Sequence, residues 1–177
     1  MATGADYLPP ESPPRPGTDS QHFPDWCGLF RTRERMLHDR LTAGLRAAEA
    51  VGTDRFTAWN DLTDLAQQLA EAHAARTTAE ILREQWRPDH PSGEAPVLRD
   101  LYRLSCLEEI SAHAAWYLAH GLLTPAEVLA LPDRLNETCR RLLPQVEELT
   151  DLLDVPRAVL RGPLADVDYV RELAPGP

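Results

Sequence analysis

Apolar residues recur along this chain at intervals of three and four, the spacing that gives a helix one continuous hydrophobic face. From about Leu29 to Val51, the residues Phe30, Leu37, Leu41, Leu45 and Ala48 alternate in this way with arginines and acids, and Gly52 supplies a stop. Thr53 or Asp54 is placed to cap a second helix. In it Phe56, Trp59, Leu62, Ala66, Leu69 and His73 carry the same seam on to Trp86 and Pro88, which predicts a helix of over thirty residues with Trp59 in the core. After a loop at Pro88, Asp89, His90, Pro91, Ser92 and Gly93, Pro96 opens a third helix expected to reach His120. Its apolar positions, from Val97 through Tyr102, Cys106, Leu107 and Ile110 to Trp116 and Tyr117, form too wide a band for one contact, so it is expected to be central.

Gly121 ends that helix, and Thr124, Pro125 and Glu127 read as cap, first-turn proline and first-turn acid of a fourth. Leu135, Cys139, Leu142, Val146, Leu149 and Leu153 continue its seam. Pro132 and Pro144 each remove an amide donor, which predicts a break near the first and a kink at the second. Pro156 begins a short terminal element, and the chain beyond Gly162 is expected to lie extended over the rest. Residues 1–26 hold six of the sixteen prolines among small polar residues and have no repeating apolar face, so they are expected to form a disordered tail. The domain then covers 27–177. The expected fold is all-α: an antiparallel four-helix bundle with a Pro-rich N-terminal tail and a short C-terminal extension.

Composition adds little to that architecture but narrows the function. With 177 residues, 43% hydrophobic and 26% charged, one core of ordinary size is available. A net charge of −10 opposes a phosphate backbone, so nucleic acid is not an expected partner. All 18 basic residues are arginine. Three cysteines, Cys27, Cys106 and Cys139, are widely spaced and match neither a disulfide framework nor a zinc site. The absence of an export signal or a spanning apolar run leads to the expectation of a soluble, cytoplasmic protein that does not engage membranes.

Catalytic signatures are missing. The nine glycines form neither G-x-G-x-x-G nor a P-loop, the six histidines do not cluster, and no Glu-x-x-His pair offers a di-metal site. Glu109 and His113 lie one turn apart, a spacing that favours a hydrogen-bonded or solvent-facing pair over a metal site with only two ligands. Glu108–Glu109 and Glu147–Glu148 are neighbours that point roughly 100° apart on a helix, so neither is a facing acid–base pair. No catalytic residue and no metal ligand is assigned. Trp116 and Tyr117 suit core packing and partner docking about equally.

The stretch from Asp100 to Gly162, DLYRLSCLEEISAHAAWYLAHGLLTPAEVLALPDRLNETCRRLLPQVEELTDLLDVPRAVLRG, resembles the C-terminal helical domain of acyl-CoA oxidases. Upstream, LFRTRERMLHDRL and FTAWNDLTDLAQQLAEAH resemble the first two helices of the same domain, so the likeness covers about Leu29 to Leu173. In that family other domains bind FAD and acyl-CoA, and a glutamate in a preceding helical bundle removes the α-proton while the β-hydride passes to flavin. The C-terminal domain packs on that catalytic bundle. Nothing in this sequence matches the family's catalytic glutamate. The resemblance therefore implies an auxiliary subunit of a split FAD-dependent acyl-CoA oxidase or dehydrogenase, inactive alone. FAD is expected on a separate flavoprotein subunit, and the surface facing it is expected around Tyr102, Arg103, Trp116 and Tyr117. Formation of an unsaturated acyl group in biosynthesis would be a natural setting. Two other classes remain open: a non-enzymatic interaction or regulatory module, and an independent bundle enzyme or metal binder.

Overall fold

The computed structural model describes residues 26–85 and 96–152; residues 1–25 of the expected tail, the 88–93 loop and the segments after Leu152 lie outside the described residues, while Trp26, the last residue of that expected tail, is buried at the start of the first helix. Within the described residues the protein is all helical and contains no strand. No helix there is long and apolar enough to cross a membrane.

Helix α1 (Trp26–Ala50) changes character along its length. Its first third is buried almost all round: Trp26, Cys27, Leu29, Phe30, Thr32, Arg33 and Glu34 are all inside, and only Leu37 and Leu41 continue the buried face beyond. It ends where the sequence requires. Gly52 adopts φ 74°, a left-handed conformation that costs glycine little, and the Thr53 amide donates back to the Ala48 carbonyl at 3.0 Å. Asp54 then caps α2 (Arg55–Asp61), its carboxylate accepting from the Phe56 and Thr57 amides, both at 3.1 Å.

The expected single long helix is interrupted at Leu62, and α3 (Thr63–Gln85) starts beyond it. At the break the Leu62 amide bonds the Trp59 carbonyl, three residues back, and the Thr63 hydroxyl donates to the same carbonyl at 2.9 Å. Leu62 packs on α1 at Gly44, where a Cβ would meet Leu62 Cδ2 at 3.0 Å. The notch left by that glycine is what admits the leucine.

The third expected helix is also divided, into α4 (Pro96–Ala112) and α5 (Ala114–Ala119). The junction residue His113 leaves helical geometry at φ −116°, ψ 18°, with its amide bonded only three residues back to Ile110. Gly121, at φ 66°, stops α5, and the Leu122 amide reaches the Tyr117 carbonyl at 2.9 Å. Thr124 and Glu127 form the expected capping box on α6 (Pro125–Leu129), each bonding the other's backbone amide. Both proline expectations hold. The break falls at Ala130, so Pro132 enters the first turn of α7 (Leu131–Leu142), and Pro144 sits in a 3₁₀ turn, Leu143–Gln145, ahead of α8 (Val146–Leu152).

Packing is closest between α1 and α3 and between α4 and α7, with α3 also touching α4. Ion pairs and one hydrogen bond fix the directions. Arg31 with Glu80 and Glu34 with Arg76 make α1 and α3 antiparallel, whereas Cys27 with Tyr102 and Arg33 with Glu109 make α1 and α4 parallel. Trp26, Leu29, Phe30, Tyr102, Cys106, Leu107, Ile110 and Tyr117 gather into one core where α1, α4 and α5 meet.

Candidate functional site

The residues singled out from sequence as partner-facing are spread through different environments. Tyr102 is 3% exposed, its ring 6.1 Å from that of Trp26 and its hydroxyl 3.4 Å from Cys27 Sγ. Burial, reinforced by Cys106, raises its phenol well above the ordinary value. Tyr117 is completely buried and its hydroxyl has no hydrogen-bond partner. These two rings are core and offer no free surface. Arg103 is partly buried, with a solvent-shielded Nε that lacks a partner, and burial followed by the charge of Arg141 lowers its pKa. Trp116 is partly exposed; it meets Tyr117 edge to face at 5.4 Å and stacks on His120 at 4.0 Å.

Glu109 and His113 are joined as the sequence spacing implies, with a carboxylate-to-Nε2 distance of 3.3 Å, but a third member comes from α1. The Arg33 side chain, only 4% exposed, reaches Glu109 at 3.2 Å and His113 Nδ1 at 3.3 Å. Burial, then the Arg33 charge, lowers the His113 pKa, which keeps the ring neutral. Arg33 Nε and the Tyr117 hydroxyl are buried without partners beside this group. Among the described residues no group of three or more His, Cys, Asp or Glu is placed to hold a metal ion. Cys106 is inert by the same logic, since burial pushes its thiol up to about 12.

A groove of about 560 Å³ opens between α3 and α4 over Phe30, Ala75, Ala79, Leu82, Tyr102 and Cys106. Its rim carries Glu71, Glu108 and Glu109 and no arginine. A flavin dinucleotide brings a diphosphate that needs cations or converging amides, and this acidic rim supplies neither. The groove does not fit FAD.

Sequence periodicity misplaced His73, Cys139 and Val146, which are exposed rather than in the seam, α7 burying Thr138 in place of Cys139, and, together on one face, Phe56 and Trp59. Phe56 and Trp59 were both expected in the core seam, and they are 81% and 42% exposed. With Asn60, Thr63, Ala66, Gln67 and Ala70 they line a shallow depression of about 470 Å³ on the outer side of α2 and α3. The turn at Leu62 is the cause: it points Leu62 at Gly44 and leaves the aromatic pair on the opposite side.

No curated protein matches this chain, and no solved structure does. A family model described as acyl-CoA oxidase matches residues 24–168. The matched stretch begins just before α1, takes in every helix described above and accounts for most of the chain: the chain belongs to the acyl-CoA oxidase family.

Proposed function

We propose that this chain is the non-catalytic helical subunit of an FAD-dependent acyl-CoA oxidase or dehydrogenase, packed on a separate flavin-binding subunit that carries out α,β-desaturation of an acyl thioester. The family match over residues 24–168 carries this reading. The helices that sequence periodicity groups into four make an antiparallel bundle in this proposal, supported by the opposed directions of α1 and α3 and by the pairing of α4 with α7. FAD belongs to the partner, in keeping with a groove whose rim is acidic. The apolar surface at Phe56, Trp59 and Ile81 supplies area for a protein contact.

In this arrangement the partner contributes the flavin, the acyl-thioester pocket and the base. The contribution of this chain is mechanical: α1 and α4, locked by Arg33, Glu109 and His113, form a rigid core behind the surface that holds the catalytic bundle in shape. The test is co-expression with an acyl-CoA dehydrogenase-like flavoprotein of the same cell, then size-exclusion chromatography read at flavin and protein wavelengths. One yellow species containing both chains, with desaturation of an acyl thioester requiring both, is the expected result. A colourless chain that elutes apart from every such flavoprotein overturns the proposal and favours a non-enzymatic interaction module.

A further inference from the structure

The outward side of α2 and α3 forms an uncharged track. Phe56, Trp59, Thr63, Ala66 and Ala70 open it, and at steps of three and four residues the same face continues through the exposed Ala74 to Ile81, which is 52% exposed. At a rise of about 1.5 Å per residue the α3 part of the track, Thr63 to Ile81, is roughly 27 Å long, enough to seat a partner helix of about five turns. Bulky groups stand at its two ends and small ones in the middle, where another backbone can approach closely.

One edge of the track carries three acids, of which Asp64 shares a shallow depression with Arg40 of α1. Asp64 and Glu71 lie seven residues apart on the same side of α3, and Glu108 faces Glu71 across the groove between α3 and α4. All three are exposed, and no arginine among the described residues forms an ion pair with any of them. This charge decides between occupants. An antiparallel second copy, related by a two-fold axis in the contact plane and perpendicular to the helix, brings the same edge against itself, setting Asp64 of one copy near Glu71 of the other, and juxtaposed like charges oppose association. A helix with an apolar stripe and arginine or lysine along one edge meets both requirements.

We infer that the Phe56–Ile81 track is where this chain docks a helix of its flavin-binding subunit, one that presents an apolar stripe to Phe56 and Trp59 and basic residues to Asp64, Glu71 and Glu108. The inference rests on the function proposed above and adds the surface. It moves the contact away from Tyr102 and Tyr117, which the core already uses.

The experiment uses the full chain and the purified flavoprotein with which it co-elutes. Phe56→Ser and Trp59→Ser each weaken the complex roughly thirty-fold, the effect of a typical buried aromatic anchor. Leu143→Ser, at a position 71% exposed on another part of the surface, changes nothing. Asp64→Arg/Glu71→Arg also weakens it, and the wild-type affinity falls with added salt. A photo-crosslinking benzophenone amino acid at position 70 joins the flavoprotein at a helix containing arginine or lysine. A crosslink to a second copy of this chain overturns the inference, as does unchanged affinity in both aromatic variants while the wild-type complex forms. If the wild-type chain binds no flavoprotein at all, the functional proposal falls first, and this surface with it.

Discussion

Replacing Arg76 with methionine removes the guanidinium that donates to both carboxylate oxygens of Glu34, a side chain with no solvent exposure. The His73 ring remains 2.7 Å from that carboxylate, but His73 is half exposed. Taking the guanidinium from a buried carboxylate that keeps other contacts costs about 3 kcal/mol, the lower end for a broken buried pair. The reverse change is cheaper. In Glu34→Gln, Arg76 keeps Glu80 at 2.6 Å and, at 15% exposure, touches solvent, so the loss is that of one charged hydrogen bond, about 1–3 kcal/mol. Replacing both by leucine removes the desolvated pair altogether and returns stability to within about 1 kcal/mol of the parent. Urea unfolding at pH 7 followed by far-ultraviolet circular dichroism measures all three. The reasoning is refuted if Arg76→Met costs no more than Glu34→Gln, or if the double variant is no more stable than Arg76→Met.

Tyr117→Phe removes a buried hydroxyl without a partner and should be neutral or stabilising, whereas Tyr117→Ala should cost about 3–5 kcal/mol in the same unfolding assay. His113 has a folded pKa below its unfolded value, so the stability it contributes is fully present above about pH 6.5 and is lost as pH falls toward the lowered value; His113→Gln should flatten that part of the stability curve. Thr124→Ala should destabilise by about 1 kcal/mol by opening the capping box, and restoring serine should recover most of it. Of the three cysteines, the exposed Cys139 alone should react quickly with a thiol reagent in the native protein, with the buried Cys27 and Cys106 following only in denaturant.

Much of the fold was legible because it is set by neighbours in the chain. Gly52, Gly121, the Thr124–Glu127 box, Pro132 and Pro144 act on backbone groups one to five residues away, so their consequences can be read locally. The breaks at Leu62 and His113 were not legible from periodicity, and at each the residue meets another helix: Leu62 at the notch beside Gly44, His113 at the Arg33 guanidinium. Periodicity had one long helix at each place because it records which positions are apolar, not which partner they face.

The candidate surfaces divide in the same way. The sequence alone determined the helical class, the caps and stops, the Glu109–His113 pairing and the likeness to acyl-CoA oxidases, all of which follow from spacing within a helix or from the order of signals along the chain. Only tertiary structure decided that Tyr102 and Tyr117 are core, that Phe56 and Trp59 are surface, and that Glu34 and Arg33 are buried charges. Burial is a property of the partner face, and which face finds a partner depends on helices brought together from distant parts of the chain.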